Sequence, residues 1–173
     1  MTMKKMIIDA SHSEVGFKVK HLMISSVKGI FGKFSGSAEG DVAQNININF
    51  SLETASVSTN DEGRDGHLKG TDFFDVENYP TIDFVAQGAN PSNGVIAGNL
   101  TIKGVTKEVM FSCDYNGFGV DPWGNKKHGF EVRGKINRSD FGLTWNAPLE
   151  AGGVLVSDEV KLTADLQLIE VAE

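Results

Sequence analysis

Residues 44–52 read QNININFSL, and the alternation in that run limits the fold more than any other feature. Ile46, Ile48, Phe50 and Leu52 share one parity, and Asn45, Asn47, Asn49 and Ser51 share the other. Successive side chains of a strand point to opposite faces, so one face of this segment is apolar and the other polar. That is the pattern of a half-buried antiparallel strand. The same period returns along the chain. It places Val15, Phe17, Val19 and His21 together, then Ile82, Phe84 and Ala86, then Ile96, Gly98, Leu100 and Ile102. Further on it groups Val109, Phe111, Cys113 and Tyr115, then His128, Phe130, Val132, Gly134 and Ile136, and last Val160, Leu162, Ala164, Leu166 and Leu168. Val27 to Gly36 is a further strand, in which Gly29, Gly32 and Gly36 mark bends or bulges.

About eight strands follow, separated by turn chemistry. Asn93-Gly94 and Asn116-Gly117 are turn signals, and Pro91, Pro122 and Gly124 mark loops. The one helical candidate is 61–69, with Thr59 or Asn60 as its cap; Gly63 and Gly66 make it a poor helix former. With no internal repeat or linker, residues 1–173 read as a single domain. An all-β chain of this kind is a sandwich or a closed barrel, and periodicity does not separate them. An eight-stranded barrel either fills with side chains or holds one small ligand.

Charge and composition narrow the function. The formal net charge is −7, which argues against non-specific nucleic-acid binding. It also weakens docking on anionic membranes, although a local basic patch around Lys126 and Lys127 stays open. No segment reaches transmembrane length, so stable membrane insertion is not expected. The start, MTMKKMIIDASHS, has too short an apolar run for a signal peptide, and the single Cys113 permits no internal disulfide. Both point to a cytoplasmic protein. There are 11 Phe against 2 Trp and 2 Tyr, apolar area that suits a core and a greasy ligand equally.

Catalytic motifs are weak. GFEVRGKI, 129–136, matches the opening of a phosphate-binding loop, but Ile136 stands where a hydroxyl is needed and the segment alternates as a strand. His12 and Ser13 are neighbours, which does not make a nucleophile and base. The four histidines lack metal-ligand spacing, so no metal is assigned. His21 and His128 fall on inward faces, either as buried hydrogen-bonded groups or as polar contacts in a cavity. Asp61, Glu62, Asp65, Asp72, Asp75 and Glu77 form an acidic cluster that reads as a solvated surface. No catalytic residue and no cofactor is assigned.

Several segments together resemble the YceI-like family of polyisoprenoid-binding proteins: ASHSEVGFKVKHLMISSVKGIFGKFSG, HLKGTDFFDVENYPTIDF, LTIKGVTKEV, INRSDFGL and SDEVKL, in the family's order. The resemblance implies an extended, lipocalin-like antiparallel β-barrel of eight strands, with a short helix near one end. It implies a non-covalently bound long apolar molecule inside (a polyprenyl chain, an isoprenoid quinone or a fatty amide) and no general catalytic activity. A homodimer is an expectation on the same ground. Many members carry a secretory signal peptide, which is not expected here.

Alternation then nominates the lining: Phe17, Val19, His21, Phe31, Ile48, Phe50, Phe84, Leu100, Phe111, Phe130, Val132, Leu162 and Leu166. Phe141, Leu143 and Trp145 are expected near the end of the barrel. Phe73 and Phe74 are adjacent, and in a strand one ring would face away from the core. Both can be buried if the backbone is not extended there, one ring sealing the barrel end and the other lying under the helix. An enzyme acting on a lipid-like substrate and a solid-cored interaction module stay open beside the lipid-binding reading.

Overall fold

The computed structural model describes residues 4–147, 149 and 155–171. Its strands are β1 (Lys5–Ile8), β2 (Glu14–His21), β3 (Ser25–Phe31), β4 (Phe34–Asp41), β5 (Asn45–Glu53), β6 (Val57–Ser58), β7 (Thr81–Ala89), β8 (Val95–Ile102), β9 (Val105–Val120), β10 (Lys126–Asn137) and β11 (Val156–Val171). One helix, α1 (Glu62–Lys69), lies between β6 and β7.

Neighbouring strands pair antiparallel, and β1 pairs with both β4 and β11, which closes the sheet on itself. Three walls are each broken once. β1 and β2 run on across a 3-10 turn at Ala10–His12, and both pair with β11. β3 and β4 are separated by Gly32-Lys33, and β5 and β6 by a 3-10 turn at Thr54–Ser56. Counted as walls, the ring is a closed eight-stranded antiparallel barrel in chain order. Among the described residues closure pairs both ends of the strand order, and the part of β3 before Ile30 is paired on one side alone.

The break at Gly32-Lys33 replaces the unbroken strand expected over Val27–Gly36. Asn116-Gly117 is not a hairpin turn either. It lies within β9, where Gly129 pairs with Gly117 and Phe130 with Tyr115, so Asn116 is an extra residue. Gly117 has φ 92°, the left-handed backbone that a bulge of this type shares with a tight turn. The true β9–β10 turn is built on Asp121, whose carboxylate accepts from the backbone N–H groups of Trp123 and Asn125 at 2.9 Å each. The helix cap is Asp61, neither Thr59 nor Asn60: its carboxylate accepts from Arg64 N–H at 3.0 Å. Thr59 is used otherwise, donating through its backbone N–H and hydroxyl to Asp65.

The inward residues of every wall meet in one apolar cluster that includes Met6, Phe31, Ile46, Phe84, Phe111, Phe130 and Phe141. The β6–β7 connection crosses one end of the barrel with α1. The β9–β10 turn lies at the other end, beside the start of β1.

Candidate functional site

The barrel is not filled. One cavity of about 170 Å³ lies deep among β4, β5, β7, β8, β9, β10 and β11, walled by Ile48, Phe50, Phe84, Leu100, Phe111, Phe130, Val132 and Leu166 among others. A second, of about 230 Å³, lies at the helix end between β2, β3, α1 and the segment after β10. Phe31, Ile82, Ile102 and Leu162 line both, so the two cavities meet at a common waist.

Every residue nominated from alternation lies on one of these walls. Phe17, Val19 and His21 line the helix-end cavity with Phe73 and Phe74; Phe31 and Leu162 line both; the remainder line the deep one. The adjacent phenylalanines sit in a turn, with Phe73 N–H donating to Gly70 O at 3.1 Å and Phe74 N–H to Leu68 O at 2.9 Å. Because that backbone is not extended, both rings face inward. Phe73 packs against His67 of α1 (ring centroids 5.0 Å) and against Trp145 (5.5 Å). Phe74 meets Phe31 edge-on at 5.8 Å, inside the barrel. Phe73 therefore belongs to the cover under α1, and Phe74 to the wall.

The helix-end cavity also carries polar groups that the sequence reading passed over. His67 Nε2 lies 3.0 Å from Asp72 Oδ2, and its ring stands edge-on to Trp145 at 4.7 Å. Arg64 donates from Nε to Thr59 Oγ1 at 2.8 Å and from its terminal nitrogen to Thr59 O at 2.9 Å. The acidic cluster is largely consumed in these bonds. Asp61 caps α1, Asp65 holds Thr59, Asp72 holds His67 and Asp75 holds the Asn78 amide.

Arg138 is the largest omission. It is 5% exposed, and its guanidinium donates to four backbone carbonyls: Ser157 at 2.9 Å, Leu143 at 2.7 Å, Trp145 at 2.8 Å and Val156 at 3.2 Å. Burial lowers its pKa and Asp158 opposes that shift. The five donors of a guanidinium in one plane suit this task, tying the Leu143–Trp145 segment to the start of β11. A signal was present: continuing the β10 alternation past Gly134 and Ile136 puts Arg138 on the inward face.

At the opposite end a buried network closes the wall. Tyr115 Oη lies 2.7 Å from His128 Nδ1, and His128 Nε2 lies 2.9 Å from Glu170 Oε1. The His128 bond, aided by Lys126 and Lys4, lowers the Glu170 pKa; burial raises that of Tyr115, and Glu170 adds to the rise. With Nε2–H donating to Glu170, Nδ1 is left to accept the hydrogen bond that the Tyr115 hydroxyl donates. Cys113 lies on the deep-cavity wall, its thiol pushed up to about 11 by burial and by Asp114, which keeps it protonated and unreactive. Among the described residues no three of His, Cys, Asp and Glu come together as a metal site, and no helix is long and apolar enough to cross a membrane.

With this geometry the comparisons with known proteins agree in fold. BcnA of Burkholderia cenocepacia superposes with a TM-score of 0.79 at 25% identity, covering 92% of this chain and 98% of BcnA. A polyisoprenoid binding domain from Saccharophagus degradans, implicated in plant cell wall breakdown, superposes with a TM-score of 0.70 over 98% of this chain and all of its own, at 13% identity. By sequence, the UPF0312 protein SAS2572 of Staphylococcus aureus is 37% identical over 168 residues, 95% of this chain and 97% of its own. The family model described as YceI-like domain matches residues 7–168, and the chain belongs to that family.

Proposed function

We propose that this protein binds a long apolar isoprenoid or related lipid inside its barrel and serves to carry, store or sequester it. The observation that carries the reading is the pair of apolar cavities joined at the Phe31–Ile82–Ile102–Leu162 waist. The likeness to a domain described as polyisoprenoid binding supports it as a fold.

The energetics set a lower bound on the ligand. Burial contributes about 0.8 kcal/mol per methylene-sized group, so a five-carbon isoprene unit offers roughly 4 kcal/mol. Association costs on the order of 4–15 kcal/mol. The deep cavity is close in size to the apolar cavity of about 150 Å³ known to take up benzene, and the helix-end cavity, at about 230 Å³, is larger. The empty space therefore holds about two isoprene units, worth roughly 8 kcal/mol, which does not clear the upper range of the association cost. Tight binding needs further units, and the Phe73–Trp145 cover at the helix end is where the cavity would yield to them. The polar groups there, His21, His67 and Arg64, are in position to meet a head group, while the deep cavity takes the tail.

The test is organic extraction of the purified protein with mass spectrometry, followed by titration of the stripped protein. Trp145 lines the helix-end cavity, and Trp123→Phe leaves it as the sole tryptophan. A stoichiometric long-chain apolar molecule in the extract, and saturable quenching of Trp145 by a prenylated quinone, are expected. A clean extract together with no saturable quenching would reject lipid binding.

A further inference from the structure

The β2–β3 hairpin ends in residues that neither its turn nor the core requires. Ile24 N–H donates to His21 O at 3.3 Å, and Leu22 and Met23 between them have φ of 56° and 59°. Two successive left-handed residues make a type I′ turn, whose favoured chemistry is Asn-Gly. Leu and Met are disfavoured there by their own side chains. They are also set in water: Leu22, Met23 and Ile24 are 39%, 60% and 85% exposed. Neither local conformation nor burial accounts for three apolar residues at this tip.

The wall beside the tip is basic. Lys135 of β10 stands opposite Lys161 of β11, Lys161 opposite Lys18 of β2, and Lys18 opposite Lys28 of β3. All four are exposed on the outer face, between neighbours that face inward. Like charges directly opposite destabilise a sheet, and here they run across four adjacent strands of a chain whose net charge is −7. Lys20 adds another, one outward position nearer the tip. Among the described residues, only Lys135 of these has an ion-pair partner, Glu159 at 3.7 Å. Four further acids of the same wall, Asp114, Glu131, Asp165 and Glu14, form a second row, again in register, while Glu159 stands beside the lysines. That row is four residues along the strands, roughly 13 Å away at about 3.3 Å per residue. The lysine row thus lies nearer the helix end than this acidic row, with Glu159 the acid beside it and Arg133 the base paired within the acids. Lys126 and Lys127, the basic pair visible in the sequence, are neutralised instead. Lys127 lies 2.8 Å from Asp9 and 3.7 Å from Asp121, and Lys126 lies 3.8 Å from Glu170.

We infer that the Leu22–Ile24 tip and the lysine row dock this protein on an anionic phospholipid bilayer, with the helix end of the barrel turned toward the lipid. The tip enters the boundary between head groups and acyl chains, and the lysines meet the phosphates. An acidic protein or a second copy would satisfy the lysines as well. Three apolar side chains projecting from a turn suit a fluid phase that closes around them better than a preformed pocket. Docking requires no occupant in the barrel, so it stands or falls apart from the lipid-binding reading.

Flotation with phosphatidylcholine vesicles, with and without phosphatidylserine, tests it on the full chain as purified. The expected result is binding to the anionic vesicles that weakens as salt is raised. Lys18→Gln, Lys28→Gln and Lys161→Gln together should lower partition on the order of a hundredfold, at about fivefold per lysine near an anionic surface. Leu22→Asn with Met23→Gly supplies the favoured turn residues, so it should raise the melting temperature while cutting partition. That separates the tip from folding. Absence of wild-type binding, or binding unchanged in both variants, overturns the inference. So does loss of binding in Trp123→Ser, a residue 82% exposed at the opposite end. Lysine-dependent self-association without vesicle binding would assign the face to a second copy and overturn it equally.

Discussion

Filling the deep cavity from its wall distinguishes a hollow barrel from a solid one. Ala164 on β11 lines that cavity and sits in register between Val132 and Val15. Ala164→Phe adds a phenyl group, and a cavity of about 150 Å³ accommodates benzene. The space available is about 170 Å³. Void volume costs about 24 cal/mol per Å³, so abolishing roughly 150 Å³ returns at most about 3.6 kcal/mol. Rotamer entropy and imperfect fit oppose this by about 1–2 kcal/mol. The stripped variant should therefore be more stable than the stripped wild type by about 2 kcal/mol. At roughly 2–4 °C per kcal/mol for a chain of this size, that is about 4–8 °C in melting temperature. In a filled core the same substitution would overpack and cost about 1–3 kcal/mol, shifting the melt the other way. Thermal unfolding of lipid-extracted protein reads the sign, and mass spectrometry of the unextracted variant reads occupancy. A lowered melting temperature, or unchanged occupancy in a folded variant, would refute the hollow-barrel reasoning.

Two other perturbations test how the ends are held. Arg138→Met strands the carbonyls of Leu143, Trp145, Val156 and Ser157, and should cost several kcal/mol by denaturant unfolding, since each buried acceptor left without a donor costs about 1–3 kcal/mol. Arg138→Lys should recover only part of it, because an ammonium lacks the planar fork that reaches all four. At the β1–β2 break, Asp9 accepts from Lys127, Ser11 and His12 at 2.8 Å each, and the Lys127 bond above all holds its pKa well below the usual carboxylate range. A depressed folded pKa means that the contribution is present above the unfolded value of about 3.9 and is lost as pH falls below it. The stability difference between wild type and Asp9→Asn should shrink as pH falls below about 4. A difference that grew below that pH would contradict the assignment.

The walls were legible because each strand carries its own period, and a period of two fixes which residues face inward once either face is buried. What closes the barrel was not legible. β1 is only four residues, KMII, too short to display alternation, yet Lys5 to Ile7 pair on both sides, with Glu39–Ser37 and Val171–Ile169. Its place is set by two partner strands that both lie later in the chain, one at residues 37–39 and the other at 168–171. Asn116-Gly117 misled for a related reason. The dipeptide specifies a left-handed backbone, and only the partner strand decides whether that backbone turns or bulges. For the site, Phe17 and Leu162 could be read from alternation. The inward position of Arg138 could be read as well, but not what it clamps, because its partners are backbone carbonyls, which leave no mark in a sequence.

The hollow interior follows from a pairing that neither a count of phenylalanines nor their periodicity expresses. Large rings on inward positions should close an eight-stranded barrel. Here Phe17 is the cross-strand partner of Gly29, and a Cβ on Gly29 would collide with its ring. Gly134 receives the Phe111 ring in the same way, although Phe111 comes from β9 and Gly134 from β10. A ring that lies down over a neighbouring glycine covers backbone that no side chain shields, and its edge no longer crosses the lumen. Gly29 and Gly134 are thus the complement of Phe17 and Phe111: each takes the thickness of a ring into the wall. The chain therefore has the aromatic area of a filled core and an open axis as well, in which Phe31 narrows the passage between the cavities and the remaining rings form its sides.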